Sequence, residues 1–321
     1  MSRVPLIFGT MTIGDAGKDG VRTSDKADSQ QILDIYFGQG HGTELDTARQ
    51  YGEGTTEAYL STLNLHDAAL DTKVYPVQPG AHSAANLRKT FELSLEKLKV
   101  AKVRTLYLHA PDRSVDFAET LQEADKLHKE GKFEQLGLSN YTAWEVAEIV
   151  ATARERGLLV PRIYQAMYNA MTRAIEEELV PCLRKYGIRL VVYNPLAGGL
   201  LTGKVARPTP SAADEKQAIE RGSRFDAGAG SGRIAKMYQG RYFKEAYFDA
   251  IERQLKPLVE GKHGLTLVEV ALRWLQHHSV LKETDGVILG ASSAKQVSPE
   301  PCQGSNFFLY GSADMSRFVL A

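Results

Sequence analysis

Hydrophobic and polar positions along the chain follow two alternating periodicities. Short β-branched or aliphatic runs recur, and most are followed by a segment such as SAANLRKTFELSLEKL (83–98), in which apolar residues are three and four positions apart. The first pattern predicts buried strands and the second predicts amphipathic helices. Eight strands are predicted, at 6–10, 44–48, 72–76, 105–110, 134–140, 163–169, 189–195 and 286–292. Seven helices are predicted, at 28–38, 83–98, 116–130, 142–156, 174–186, 243–260 and 266–277.

The spacing of these elements indicates the fold class. Predicted strand starts from 44 to 189 are separated by roughly 26 to 33 residues, the length of a βα unit with a crossover helix. Eight such units close into a (β/α)8 TIM barrel of the α/β class. About 90 residues separate the last two strands, so we expect a long loop and helical insertion between strands 7 and 8. It includes the small-residue segment 226–232 and is either a lid or an insertion without a role.

A doubly wound dinucleotide-binding sheet fits less well, and the chain is divided accordingly. No strand is followed by G-x-G-x-x-G, because Gly228, Gly230 and Gly232 lie in the insertion without a preceding strand. We therefore predict one barrel over residues 1–297. Residues 298–321 show no helical periodicity and are expected to form an atypical, poorly packed C-terminal tail.

Composition and charge narrow the class of partner. Lys plus Arg equals Asp plus Glu at 39 each, and no block of like charge suggests binding to nucleic acid or an anionic membrane. Cys182 and Cys302 are too few for a disulfide framework or a thiolate metal site, and no 18-residue apolar stretch is present. We expect a cytoplasmic protein with a small-molecule partner, and no bound metal.

Ionisable side chains stand where the predicted strands end, which is the catalytic end of a barrel. Asp46 ends the second strand, Tyr51 follows it, Lys73 lies on the third and His109 ends the fourth. Each alone could be structural, but several at one end suggest chemistry, since buried charges are costly unless paired. Lys73, paired with Asp46, could stabilise a Tyr51 phenolate, and His109 could bind a carbonyl oxygen. Tyr51 would then donate a proton.

Carbonyl reduction also requires a hydride, which no side chain supplies, so a cofactor is expected. Ser139, Asn140 and Gln165 are suited to hold a carboxamide, and Tyr193 could stack on a nicotinamide ring. The segment NPLAGGLLTGK (194–204) offers glycine backbone that a pyrophosphate could approach closely, although it could also be only a turn.

These residues resemble the aldo-keto reductase superfamily, and most closely its aflatoxin-aldehyde reductase branch. The similarity spans roughly residues 4–296, with the motifs in order. The matching motifs are ELDTARQYGEG, DTKVYP, LYLHAPDRS, LHKEGKFEQLGLSNYTAWEVAEI, YQAMYNAMTR, YNPLAGGLLTGK, RYFKE, ALRWLQHHS and GVILGASS.

The resemblance implies reduction of an aldehyde or ketone with NADPH, with NADH as a possible substitute. It assigns catalysis to Asp46, Tyr51, Lys73 and His109, with Tyr51 as the acid. It assigns cofactor contacts to Ser139, Asn140, Gln165, Tyr193, Asn194, Pro195, Leu196, Gly198, Gly203, Lys204, Arg224, Ser292, Ser293 and Gln296. It assigns substrate contacts to Met11, His109 and Tyr238. Glu300 departs from the family pattern by standing where an Asn is usual, which weakens the expected preference for a 2′-phosphate.

Other functions were weighed against this one. Metal-assisted hydrolysis is disfavoured because adjacent His277 and His278 diverge on a helix. A related barrel is a nicotinamide-sensing ion-channel subunit, so a non-catalytic regulatory subunit is the alternative. The sequence leaves open the carbonyl substrate, a role in detoxification or in tailoring secondary metabolites, and a homodimer.

Overall fold

The computed structural model of the protein describes residues 3–40, 42–207, 223–226 and 232–297. Eight parallel strands form a closed barrel in chain order, and the last strand pairs with the first. The predicted (β/α)8 TIM barrel is confirmed, with the long insertion between its last two strands. The strands are β1 Leu6–Gly9, β2 Glu44–Asp46, β3 Ala69–Val74, β4 Val103–Leu108, β5 Phe133–Ser139, β6 Ile163–Met167, β7 Arg189–Tyr193 and β8 Gly286–Leu289.

Helices cover the outside of the barrel, and their apolar faces pack against the strands in one large core. Several begin with a side chain that satisfies free backbone N–H groups, such as Asp25, Asp116 and the capping box of Thr142 and Glu145. The helices are α1 Lys26–Gly38, α2 Thr56–Leu60, α3 Ala84–Leu98, α4 Phe117–Lys129, α5 Ala143–Glu155, α6 Leu179–Tyr186, α7 Arg233–Tyr242, α8 Glu245–Asp249, α9 Leu267–His277 and α10 Ala294–Val297.

The structure differs from the predicted helices in five places. The helix predicted over 174–186 is a short 3-10 turn, Ala174–Glu176, followed by α6. The helix predicted over 243–260 is α8 followed by π-helical turns at Ala250–Leu255 and Pro257–Lys262. Helices α2, α7 and α10 were not predicted, because none of these segments has a long apolar stripe.

The insertion between β7 and β8 has an apolar core of its own. Phe225, Tyr238, Tyr242 and Phe248 are buried there, and Phe225 stacks on the ring of Phe243 at a centroid distance of 5.0 Å. Leu200, Leu201 and Leu267 belong to the same cluster. The described part of the insertion is therefore packed against the carboxyl end of the barrel.

The barrel interior has a middle layer of apolar side chains between two polar ends. Ile7, Tyr107, Ile163, Val191 and Ile288 form this layer. Gly137 on β5 leaves room for the Tyr107 ring, because a Cβ there would lie 2.3 Å from a ring carbon. Alternation along each strand then directs Glu44 and Asp46 on β2, and Asp71 and Lys73 on β3, to the same side of the sheet.

Parts of the sequence prediction lie outside the described residues. They are the tail 298–321, which includes Glu300 and Cys302, and most of the segment 226–232. Among the helices that the structure describes, none is long and apolar enough to cross a bilayer. Within the same part of the chain, no three His, Cys, Asp or Glu side chains cluster as metal ligands.

Candidate active site

Asp46, Tyr51 and Lys73 form one hydrogen-bonded chain at the carboxyl end of the barrel. Lys73 Nζ donates to Asp46 Oδ2 at 2.7 Å and to the Tyr51 hydroxyl at 3.0 Å. Lys73 is fully buried, and Asp46 is 2% exposed. The ammonium also lies 4.6 Å from the centre of the Tyr51 ring. The three residues predicted from the strand ends are therefore in direct contact.

Neighbouring strands hold the ion pair in place. Asp46 ends β2, and its register partner on the neighbouring strand β3 is Asp71. Lys73 lies two residues beyond Asp71 on β3. Lys73 Nζ makes a third hydrogen bond, to the Thr47 carbonyl oxygen, at 2.7 Å. Burial is the largest influence on the Lys73 pKa and lowers it, but Asp46 and Tyr51 together outweigh burial and raise the pKa of the ammonium. Lys73 is therefore a fixed cation.

The phenol of Tyr51 is protonated at neutral pH. Burial raises its pKa above the ordinary value of 10.0, and Lys73 only partly opposes this shift. The sequence predicts that Lys73 lowers the pKa of Tyr51, whereas in the folded protein desolvation has the larger effect and the pKa is raised. A neutral phenol next to an ammonium still suits proton donation, because the donor must carry its proton before transfer and the cation stabilises the phenolate that forms.

His109 is the fourth member of the group and is a neutral imidazole. Burial, reinforced by the charge of Lys73, lowers its pKa to about 3. Its ring lies 6.3 Å from the Tyr51 ring, centre to centre, and its Nδ1 is buried without a hydrogen-bond partner among the described residues. The Val74 carbonyl oxygen accepts both the His109 backbone N–H, at 2.9 Å, and His82 Nε2, at 3.1 Å. His82 is thus bonded to the end of β3, at the same carbonyl oxygen that holds the His109 backbone.

A cleft of about 790 Å³ opens above these residues. Most of the predicted site residues line it, but Lys73, Ser139, Gly203, Lys204 and Ser293 do not. Lys73 lies beneath Tyr51, so its effect reaches the cleft through the phenol. The predicted residues that line the cleft are Met11, Asp46, Tyr51, His109, Asn140, Gln165, Tyr193, Asn194, Pro195, Leu196, Gly198, Arg224, Tyr238, Ser292 and Gln296.

The amides predicted to hold a carboxamide are already ordered by the protein. Gln165 Nε2 donates to Asp46 Oδ1 at 2.8 Å. Asn140 Nδ2 donates to the His109 carbonyl oxygen at 2.8 Å and to Ser139 Oγ at 3.1 Å. Asn140 has a φ of 63°, which Asn tolerates better than most residues, and this turns its side chain back over β4. Ser139 therefore contacts the cleft only indirectly, by accepting a hydrogen bond from the side chain of Asn140.

The segment after β7 divides into two parts. Gly198 and Gly199 have φ values of 73° and 106°, and the Gly198 N–H donates to Asn194 Oδ1 at 2.5 Å. A Cβ on Gly199 would meet no atom within 4 Å, so its backbone faces open space in the cleft. By contrast, a Cβ on Gly203 would lie 2.7 Å from Leu267. Gly203 therefore packs against α9 rather than lining the cleft.

The insertion contributes cationic and aromatic groups to the cleft. Arg224 Nη1 donates to the Tyr238 hydroxyl at 3.1 Å and lies 3.6 Å from Met11 Sδ, so three residues predicted to contact cofactor or substrate are together. Sequence reasoning missed several residues that line the cleft or brace it. Arg22, Tyr75, Arg233 and Arg241 line the cleft, and His82 lies behind it. Only Tyr75 carried a signal, because it follows Lys73 at a strand end.

The end of β8 supplies the remaining wall. The Ser292 N–H donates to Gln296 Oε1 at 2.8 Å, and the Ser292 carbonyl oxygen accepts from Thr23 Oγ1 at 3.1 Å. These bonds tie the start of α10 to the β1–α1 loop, and both Ser292 and Gln296 line the cleft. Ser293 lies beside them without lining it.

These residues fit a nicotinamide dinucleotide. The cleft volume lies within the roughly 300–1,000 Å³ typical of small-molecule sites. The exposed backbone at Gly199 and the arginines that line the cleft suit phosphate groups. The Tyr193 ring, also in the lining, suits a flat nicotinamide ring. His109 lines the same cleft as Tyr51, with the two rings 6.3 Å apart, so an imidazole and a phenol face the proposed reaction site together.

Comparisons with known proteins agree with this geometry. The model of the aldo/keto reductase family matches residues 5–300. Aflatoxin B1 aldehyde reductase member 2 of Mus musculus is 40% identical over 307 residues, covering 92% of this chain and 78% of the relative. Aldo-keto reductase pigE of Monascus ruber is 36% identical over 313 residues, covering 93% and 88%. The glycerol dehydrogenase AKR11B4 of Gluconobacter oxydans superposes with a TM-score of 0.64 at 25% identity, covering 93% and 85%.

Proposed function

The chain belongs to the aldo/keto reductase family, and on that premise we propose that Asp46, Tyr51, Lys73 and His109 perform its carbonyl chemistry. The protein is an NAD(P)H-dependent oxidoreductase that reduces an aldehyde or ketone to an alcohol. When bound, the nicotinamide supplies a hydride to the carbonyl carbon. The residues of this chain supply the proton and hold the reacting groups in place.

Tyr51 is the proton donor in this proposal. The supporting observation is the hydrogen-bonded chain in which Lys73 Nζ lies 3.0 Å from the Tyr51 hydroxyl and 2.7 Å from Asp46 Oδ2. As the phenol gives its proton to the carbonyl oxygen, negative charge develops on the phenol oxygen, and the adjacent ammonium stabilises it. Asp46 keeps Lys73 charged and aimed at the phenol, and Gln165 fixes the other Asp46 oxygen.

His109 orients the carbonyl group. Because its pKa is about 3, the imidazole is neutral across the physiological range and can donate one N–H to the carbonyl oxygen without competing as an acid. Met11 and Tyr238, held by Arg224, are the proposed substrate contacts at the other side of the cleft. Water is excluded by these side chains once a substrate is seated.

The cofactor assignment follows the same geometry. Asn140, Gln165 and Tyr193 surround the proposed nicotinamide position, and Asn194–Gly199 offer backbone to the pyrophosphate. Ser292, Gln296 and nearby Arg22 support a preference for NADPH over NADH, since a guanidinium pairs well with a 2′-phosphate. A cytoplasmic location, a homodimer, and roles in detoxification or secondary-metabolite tailoring are further hypotheses from the sequence.

The experiment that tests this function is a carbonyl screen with both cofactors. Purified protein is mixed with NADPH or NADH and with compact aldehydes, aryl ketones and polycyclic ketones, and oxidation of the reduced nicotinamide is followed by absorbance. We expect steady turnover of at least one class, with a lower KM for NADPH. Tight NADPH binding without turnover of any carbonyl would contradict the catalytic role. Equal KM values for the two cofactors would contradict the NADPH preference.

A further inference from the structure

The loop that carries Tyr51 has an unusual backbone. Gly52, Glu53 and Gly54 follow the phenol in sequence and have φ values of 56°, 54° and 89°. A left-handed conformation costs a residue with a side chain about 1–2 kcal/mol, and glycine on either side leaves the backbone free to adopt other shapes. The local sequence therefore does not by itself hold the phenol in one position.

A buried carboxylate and a partly exposed guanidinium close this loop from behind. Arg49, before Tyr51, donates through Nη1 to Glu57 Oε2 and through Nη2 to the Gly54 carbonyl oxygen. The Glu57 side chain is fully buried, and the Arg49 side chain is 12% exposed. One guanidinium thus joins the start of the loop, its left-handed turn and the helix α2 that follows it.

The same carboxylate connects the loop to the strand that carries the ammonium. Thr72 Oγ1 donates to Glu57 Oε1 at 2.6 Å, and Thr72 immediately precedes Lys73 on β3. The Arg49 backbone N–H donates to the Lys73 carbonyl oxygen at 3.0 Å. We call Arg49, Glu57, Thr72 and the Gly54 carbonyl the loop clamp. It fixes the loop of the proton donor against the strand of the cation beneath it.

We propose that Glu57 is a positioning residue for proton transfer, acting through the loop clamp to hold the Tyr51 hydroxyl within hydrogen-bond distance of Lys73 Nζ. The proposal rests on the function proposed above. Glu57 does not line the cleft, so its effect on the reaction passes through the Tyr51 loop and through Lys73, whose charge it faces. A displacement of about 1 Å from the reactive geometry can reduce a rate by about a hundredfold.

The first test compares Glu57→Gln with a matched variant at another buried carboxylate. Glu57→Gln keeps the shape of the side chain and removes the charge that holds Arg49. We expect kcat to fall about tenfold to a hundredfold, with unchanged NADPH affinity in fluorescence titrations. Glu123 on α4 is also buried and accepts from Arg88 Nε at 2.6 Å, but it lies outside the barrel end. Glu123→Gln should lower the thermal midpoint without lowering kcat of the folded protein.

A double-mutant cycle separates positioning of Tyr51 from general stability. Once Tyr51→Phe has removed the proton donor, Glu57→Gln should lower the residual rate no further, because its effect passes through the missing hydroxyl. An additive loss in that background would overturn the proposal, as would an unchanged kcat in the single variant. Wild-type turnover by Tyr51→Phe would show that Tyr51 is not the acid. The proposed function of Tyr51 and the positioning role of the loop clamp would then both fail.

Two milder variants keep the question decidable if Glu57→Gln does not fold. Thr72→Val removes only the donor to Glu57 Oε1. Arg49→Lys retains the charge but lacks the planar guanidinium that reaches Glu57 and Gly54 through two separate nitrogens. Both should fold, lower kcat and be non-additive with Tyr51→Phe. If both retain the wild-type kcat, the loop clamp is a stability device only and the proposal fails.

Discussion

The two ends of the barrel carry buried ion pairs on the same strands, yet they have different consequences. At the carboxyl end Asp46 pairs with Lys73, and at the amino end Asp71, the register partner of Asp46, pairs with Arg104. Arg104 also donates to Glu44, which accepts from Arg189 at 3.0 Å. Both ends are therefore fully paired, as buried charges must be.

The difference lies in the cation and its surroundings. Arg104 is a planar guanidinium that holds its proton at any pH a protein survives, and the groups it contacts are carboxylates. Lys73 is an ammonium next to a phenol that lines a cleft. Of the two ion pairs, only the one at the carboxyl end is hydrogen-bonded to a phenol that lines the cleft, which is why the proposed catalysis is assigned to it. The amino end serves stability.

Removing the Tyr51 hydroxyl should have the largest effect on turnover of all the changes at either end of the barrel. Tyr51→Phe keeps the ring and removes the proton donor, so kcat for carbonyl reduction should fall by about 10²–10⁴-fold, the usual contribution of a general acid. NADPH affinity, measured by fluorescence titration, should stay nearly unchanged. Tyr186→Phe is the control, because that phenol lies at the end of α6 beside Arg154. Its turnover should match the wild type.

Matched truncations of the two cations should separate catalysis from stability. Arg104→Met leaves Asp71 buried without its cation and should lower the free energy of unfolding by about 3–5 kcal/mol. Lys73→Met should cost stability too, but it alone should abolish most turnover, since only Lys73 stabilises a phenolate. Urea unfolding and kcat of the folded protein measure the two effects. A large loss of kcat in Arg104→Met would show that the ends are coupled.

Acid should affect the two ends in opposite directions. His109 has a folded pKa of about 3 against an ordinary 6.5, so the unfolded chain binds the extra proton and His109 lowers stability as pH falls below 6.5. Burial raises the pKa of Asp71 from 3.8 to about 6, against the effect of Arg104. Asp71 therefore contributes stability at low pH that is lost as pH rises through about 6.

Urea unfolding over this pH range provides the measurement. As the pH falls from about 6.5 to about 4, the free energy of unfolding of the wild type should decrease relative to that of His109→Asn. Over the same range it should increase relative to that of Asp71→Asn. Burial also lowers the pKa of His82, which is present in all three proteins. Changes of the same sign in both variants would mean that one of the two pKa directions is wrong.

Much of the fold could be predicted because its signals are local. Strand runs such as LVV in β7 are continuous and apolar, since parallel strands are covered on both faces. Helices such as α3 have a clear apolar stripe. The short helices α2 and α7 were missed because tertiary contacts stabilise them. Tyr238 and Tyr242 of α7, for example, are buried against the aromatic cluster of the insertion.

The candidate site was predictable where its residues end strands. Asp46, Tyr51 and His109 follow buried strands, and parallel strands bring such positions to one end of the barrel. Arg22, Arg233 and Arg241 were missed because they come from loops and from the insertion, whose approach to the cleft has no sequence period. The closing of the Tyr51 loop by Arg49 and Glu57 depends on Thr72, a residue on a different strand.

The sequence alone determined the barrel, the order of its strands and the set of ionisable residues at their ends, because alternation of buried strands and amphipathic helices is written in local spacing. Which of those residues are in contact, and which of them are protonated at neutral pH, depends on the tertiary structure. Burial, which depends on the whole fold, keeps Tyr51 protonated and His109 neutral. Asp71 and Lys73 lie two residues apart on β3, yet Asp71 pairs with Arg104 whereas Lys73 contacts the proposed proton donor.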